Sequence, residues 1–207
     1  GYKVYKKNGT ELLTLKKFEF EDVFMGECNI TCEYDSPNVV AWEVGCYLTF
    51  RGEQFTMHTL PTVEKIARSG SYGGAFHYSN VVFRSRAEEL RNVMFLDYVL
   101  ADNQIHYTSL PNFSFYCTAV TTYDETTTPP TPISTRLELA DRLKANLDRV
   151  YGEGVWTINV APGTTIIDQT LTYSNKTCWE ALCDVNTILG LTFSIVGRTI
   201  TIGGDAT

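Results

Sequence analysis

The stretch Thr177-Cys178-Trp179-Glu180-Ala181-Leu182-Cys183-Asp184-Val185-Asn186-Thr187-Ile188-Leu189-Gly190, continued by Leu191-Thr192-Phe193-Ser194-Ile195-Val196-Gly197-Arg198-Thr199-Ile200-Thr201-Ile202, changes its hydrophobic period midway. Thr177 and Glu180 have capping-box spacing, in which each side chain satisfies an orphan backbone N–H at a helix start. Trp179, Leu182, Cys183 and Leu189 lie along the helix that follows, and Gly190 stops it. From Leu191 onward the period becomes that of strands, on either side of Gly197-Arg198. Working outward, Thr135 with Glu138 predicts another capping box and a helix to about residue 150. Its apolar stripe is Leu137, Ala140, Leu143, Leu147 and Val150, and Gly152 and Gly154 end it. Val155–Val160 reads as a strand stopped by Ala161-Pro162-Gly163, and Leu171-Thr172-Tyr173 as a short strand. Residues 135–207 are therefore expected to form a small helix-strand-helix-hairpin α+β module.

The first half has the other period almost throughout. Tyr2–Tyr5 and Leu12–Leu15 flank Asn8-Gly9, a hairpin turn in which both residues tolerate positive φ. Glu27–Tyr34 alternates, with Cys28, Ile30, Cys32 and Tyr34 on one side. Val44–Phe50 and Gln54–His58 are joined by Arg51-Gly52-Glu53, and Ala75–Phe83 is a further strand. Gln104–Thr108 and Phe113–Val120 flank a Leu110-Pro111-Asn112 turn. One helix is expected between these strands, over roughly 86–99, with Ser85 and Glu88 as its capping box and Leu90, Val93, Met94 and Val99 as its buried face. Thr121–Pro132 lacks apolar periodicity and holds three Pro in four positions, so it reads as a linker or extended crossover. The expectation is an α+β chain: a β-rich barrel or sandwich domain with one helix at 1–124, a Thr/Pro linker at 125–134, and the α+β module at 135–207.

Composition narrows the function classes. The 207 residues are 43% hydrophobic and 20% charged, which excludes disordered and fibrous chains. The densest apolar run, Val93-Met94-Phe95-Leu96, is far short of the ~20 residues of a membrane helix. A net charge of −7 argues against holding nucleic acid through neutralised phosphates. Twelve Tyr, eleven Phe and three Trp beside only three His point to sheet core and interface rather than catalysis. The chain starts at Gly1 without an initiator Met or a signal-peptide h-region and ends just after a strand-like run, so it is expected to be cut from a longer protein.

Groups that could carry chemistry are scattered. Cys28 and Cys32, four apart on a strand, lie ~13 Å apart along it, and Cys178 and Cys183 lie about 140° apart around a helix. Neither pair can form a disulfide. With Cys46 and Cys117 the expected reading is small buried thiols in a reducing compartment, with long-range disulfides the alternative. His58, His77 and His106 lack ligand spacing, so no metal site is expected. Of the acidic pairs, Glu19/Glu21/Asp22, Glu88/Glu89 and Asp124/Glu125, the second falls in a helix's first turn and the third in the linker, so paired-carboxylate catalysis is not expected. Ser71-Tyr72-Gly73-Gly74 lacks the Lys of a phosphate loop and reads as a turn. Asn8, Asn29, Asn112 and Asn175 each begin an N-x-S/T triplet, read as silent. The aromatic strands have no basic groove beside them, which disfavours base stacking. No catalytic, cofactor-binding or metal-binding residue is assigned.

One pattern is distinctive: Trp156-Thr-Ile-Asn-Val160, Thr177-Cys-Trp179-Glu-Ala-Leu182, Ile188-Leu-Gly-Leu-Thr-Phe193 and Val196-Gly-Arg-Thr-Ile-Thr-Ile202-Gly203. It resembles a module of the baseplate hub or tail-tip proteins of bacteriophages and prophages. It is also similar to the short N-terminal module of secretins and TonB-dependent receptors. Glu43–Phe50 with its Arg51-Gly52-Glu53 turn, and Ser85–Leu90, likewise look like the N-terminal part of a tail hub. The resemblance implies a first domain like a tail-tube subunit and a ring-shaped homo-oligomer, a trimer being favoured, that joins tube to spike. Implied partners are other copies, the tube or distal tail protein, and the spike or tip proteins, with no sequence-specific nucleic acid, no membrane and no cofactor. The implied location is the virion tail, assembled in the bacterial cytoplasm, with no enzymatic activity in this stretch. The alternatives are a periplasmic interaction module of the secretin or TonB-receptor type, and the non-catalytic part of a tail-associated cell-wall hydrolase.

Overall fold

The computed structural model describes residues 1–23, 25–66, 74–101, 104–107 and 111–204, with 98–101 and 104–107 described by backbone alone. Ser71–Gly73, Thr108, Leu110 and the last three residues lie outside the described residues. Contacts divide the chain into two units, Gly1–Ala87 and Glu88–Thr207.

The first unit is all sheet among its described residues. Its strands are β1 (Tyr2–Tyr5), β2 (Glu11–Leu15), β3 (Glu19–Glu21), β4 (Asn29–Ser36), β5 (Tyr47–Phe50), β6 (Glu53–Thr56), β7 (Thr62–Ile66) and β8 (Ala75–Arg84). They pair antiparallel in the order β2-β1-β5-β6-β8-β4-β3, with β7 attached to β8. The two ends of that order, β2 and β3, are separated in the chain by Lys16–Phe18 alone. Four Cα steps reach at most ~14 Å, whereas six strand spacings laid flat would need ~29 Å. The sheet therefore curls, into a half-barrel, around Val4, Leu15, Ile30, Leu48, Phe55, Met57, Val81 and Phe83, all at most 2% exposed. Arg51-Gly52 is a two-residue turn with both φ positive (51° and 82°), and Glu53 belongs to the strand, paired with Phe50. The Asn8-Gly9 turn is longer than two residues. It spans Lys6–Thr10, with Gly9 alone of the pair at positive φ and a bulge at Tyr5.

The second unit holds α1 (Glu88–Arg91), β9 (Tyr98–Ala101), β10 (Gln104–Tyr107), β11 (Asn112–Cys117), β12 (Ala119–Asp124), β13 (Thr131–Leu137), α2 (Glu138–Tyr151), β14 (Thr157–Val160), β15 (Gln169–Ser174), α3 (Cys178–Thr187), β16 (Phe193–Val196) and β17 (Thr199–Ile202). Three antiparallel ribbons, β9–β10, β11–β15 and β12–β13, accompany a three-stranded sheet β14-β17-β16 in which β14 and β17 run parallel. Leu139, Leu143 and Leu147 of α2, Ala181, Leu182 and Val185 of α3, and Trp156, Phe193, Ile200 and Ile202 of the sheet segment are all at most 1% exposed. The fold class is α+β, as expected.

Three expectations are corrected. The helix at 86–99 shrinks to the four residues of α1 and belongs to the second unit. Beyond it Asn92 and Val93 form a turn and Met94 then bridges Thr177: Val93 and Phe95 are buried with Met94 exposed between them, Phe95 N–H donates to Lys176 O, and Cys178 N–H donates to Val93 O. Thr135 does not cap α2. Leu137 is the N-cap and makes no side-chain cap bond; the Glu138 N–H donates instead to Thr118 O, so a backbone carbonyl satisfies that orphan donor. Finally, 125–134 is not a boundary. It is the turn and outer end of the β12–β13 hairpin, inside the second unit, and β11, before it, pairs with β15, after it. Cross-strand hydrogen bonding thus overrides the Pro-rich composition. Around the turn, Asp124 accepts bonds from the N–H and the hydroxyl of Thr126, at 2.9 and 2.6 Å.

Candidate interaction surface

Among the described residues, several side chains with chemical potential are engaged in structure. Glu89 accepts two bonds from the Arg198 guanidinium, at 2.7 and 2.9 Å, and one from the Trp156 indole N–H at 3.0 Å. Its own carbonyl accepts the Tyr151 hydroxyl at 2.7 Å. These bonds tie α1 to the start of β14, the β16–β17 turn and the end of α2, and they explain why the Gly197-Arg198 pair of the distinctive pattern carries an arginine. The Asp124 carboxyl is held below its ordinary pKa by the Thr126 bonds. Asp22 accepts the Cys28 thiol at 3.2 Å. Among the described residues no group of three or more His, Cys, Asp or Glu could hold a metal ion.

All six cysteines are free thiols. Burial pushes the thiols of Cys28 and Cys32 up to about 11 and that of Cys178 up to about 12, the Asp22 bond adding to the effect at Cys28. Cys46 and Cys117 are raised for the same first reason. A thiol held protonated at neutral pH is a poor nucleophile. These five act as small core side chains.

Among the described residues, exposed apolar side chains lie on strands and on the segments beside them. In the first unit every residue of β7 is exposed, and among the described strands β7 has a partner on one side only. Beside it a groove of about 250 Å³ is lined by Val39, Trp42, Leu60, Val63, Phe76 and Tyr78. Val39 is 70% exposed, and Leu60 and Val63 are each more than half exposed. The Tyr78 hydroxyl accepts the Val40 N–H at 2.8 Å, which pins the 37–42 segment across β8. Trp42 packs edge-on against Tyr34 and Tyr78, and its indole N–H is buried without an acceptor. In the second unit the β12–β13 ribbon exposes Val120, Tyr123 and Ile133. Ile167, in the segment before β15, is 84% exposed. Apolar patches next to an open strand edge are the physical signature of a surface that takes a partner.

The aromatic side chains are largely internal. Tyr2, Phe18, Phe20, Phe50 and Phe55 form one cluster in the first unit, and Tyr34, Trp42, Tyr78 and Phe83 another. Phe95, Phe113, Phe115 and Tyr173 stack in the second. Of the expected uses, core dominates: the most exposed apolar residues are aliphatic. Neither Val39 nor Ile167 belongs to a periodic pattern, and no sequence signal marked them.

No protein-family model matches the chain, and no curated protein matches it. Among solved structures it is similar to the crystal structure of prophage tail protein gp18 from Listeria monocytogenes EGD-e, with a TM-score of 0.53 at 8% sequence identity. The alignment covers 98% of this chain and 50% of that one, so the chain spans half the length of that structure. At this identity the likeness establishes a shared fold.

Proposed function

We propose that the chain is a structural component of a phage or prophage tail, situated at the hub or tip. It works by packing against copies of itself and neighbouring tail proteins, not by catalysis. The observation that carries this reading is the fold shared with a prophage tail protein over 98% of the chain. The exposed aliphatic side chains beside β7 and on the β12–β13 ribbon supply surface of the kind that subunit contacts bury. The net charge of −7 suits a conduit that DNA traverses without sticking. The Asp22, Glu89 and Asp124 carboxylates are used in structural hydrogen bonds, a use that suits a role in assembly.

Sedimentation of the full-length protein tests the proposal, alone and after co-expression with the proteins encoded beside it. A ring-forming hub is expected to sediment as a closed homo-oligomer, a trimer being favoured, and to co-purify with a tube or spike protein. A full-length protein that stays strictly monomeric at high concentration and captures no neighbour overturns the hub assignment.

A further inference from the structure

One row on the sheet of the first unit sets a single imidazole between carboxylates on two strands. The strand register places Asp35 of β4 opposite His77 of β8, and His77 opposite Glu64 of β7. His77 Nδ1 lies 2.7 Å from Asp35 Oδ1, with the imidazole 24% exposed. Glu33, exposed beside the bulge of β4, adds a third carboxylate within electrostatic reach. The flanking positions on the same face, Thr62 and Ile66 on β7 and Ala75 and Ser79 on β8, are uncharged. Because β7 is exposed at every residue and held among the described strands by β8 alone, cross-strand pairs are a large part of what fastens it.

We propose that His77 is a proton-operated latch for β7: as an imidazolium it attracts the carboxylates of both neighbouring strands, and as a neutral ring it leaves Glu64 opposite an uncharged partner, while Glu33 and Asp35 still line a surface hollow with Lys16 and Lys17. The sign follows from the geometry. The Asp35 hydrogen bond raises the imidazole above its ordinary 6.5, with Asp35, Glu33 and Glu64 adding through their charge. The Asp35 bond joins β4 to β8 and survives the opening of β7, so the titration is linked to β7 through Glu64: the latch is closed while the imidazole is protonated and opens as pH rises through the raised value. Val63 of β7 is one wall of the apolar groove, so the state of the latch sets whether that wall is in place.

Amide hydrogen exchange of β7 in the 207-residue chain tests this between pH 5.5 and 8.5, corrected for intrinsic base catalysis. Local opening of an exposed strand is sensitive to such small terms, and exposed ion pairs of this kind change an equilibrium by up to about fivefold. Protection of Val63–Ile66 is expected to fall by that order as pH rises, in step with an NMR titration of His77 whose midpoint lies above 6.5. His77→Gln is expected to hold protection at the high-pH level throughout. Glu64→Gln is expected to remove most of the pH dependence of β7 while His77 still titrates. The proposal is overturned if β7 protection is independent of pH, if His77→Gln keeps the wild-type profile, or if His77 titrates at or below 6.5.

Discussion

At the scale of residues, burial decides the state of the thiols, and this has a consequence for stability. The folded chain holds the protons of Cys28, Cys32 and Cys178 more tightly than the unfolded chain, whose thiols ionise near 9.0. Their contribution is complete below pH 9 and is lost as pH rises from there towards 11–12, because the unfolded thiols ionise first. The Tyr151 hydroxyl, pushed up to about 12 by burial and then by Glu89, acts in the same direction over a higher window. These thiols are expected to add nothing to any change of the urea midpoint between pH 7 and 8 and to lower the midpoint by pH 10. Cys178→Ala, which removes the most deeply placed of the three, is expected to make that fall shallower. A midpoint equally high at pH 10 contradicts the account. The spacing of the cysteines was enough to exclude local disulfides, but their protonation depends on neighbours distant in the chain.

At the scale of elements, α2 and α3 begin in different ways. α3 starts as its sequence predicts. Thr177 Oγ1 accepts the Glu180 N–H at 3.3 Å while Glu180 accepts the Thr177 N–H at 2.8 Å. Thr177→Ala is expected to lower unfolding stability by about 1 kcal/mol in denaturant titrations, with Thr177→Ser close to wild type. The same letters at Thr135 and Glu138 do something else: the Thr135 hydroxyl bonds to Thr121 Oγ1 at 2.8 Å and accepts the Gly163 N–H at 2.9 Å. A capping box is a local device and is legible only where no strand partner competes for its first residue. β7 was missed for a related reason. Thr62-Val63-Glu64-Lys65-Ile66 is exposed throughout, so it has no buried face to register as alternation, and only β8 makes it a strand.

At the scale of the whole molecule, the division at 87/88 makes a prediction that separates it from a division at 125–134. Residues 88–207, produced alone, are expected to unfold in one cooperative transition by circular dichroism. Residues 1–124 carry β11 and β12 without β15 and β13, so at least those strands are expected to be unstructured. A folded 1–124 with a folded 135–207 would restore the linker. The sequence by itself determined the fold class, the strand-rich character of the first half with its Arg51-Gly52 hairpin, the α3–β16–β17 pattern and the absence of local disulfides. Each of these rests on hydrophobic period, turn chemistry or spacing, all of which act over a few residues. Only the tertiary structure decided where the units divide, that the Thr/Pro stretch closes a hairpin, that the chain leaves the helix after Arg91 to bridge Thr177 at Met94, and which aliphatic side chains are left uncovered. Those outcomes depend on partners beyond a local window, from Val63 opposite Tyr78 to Phe95 bonded to Lys176, or, at the Thr/Pro hairpin, on a facing strand across a turn without hydrophobic period, and composition within a window carries no record of either.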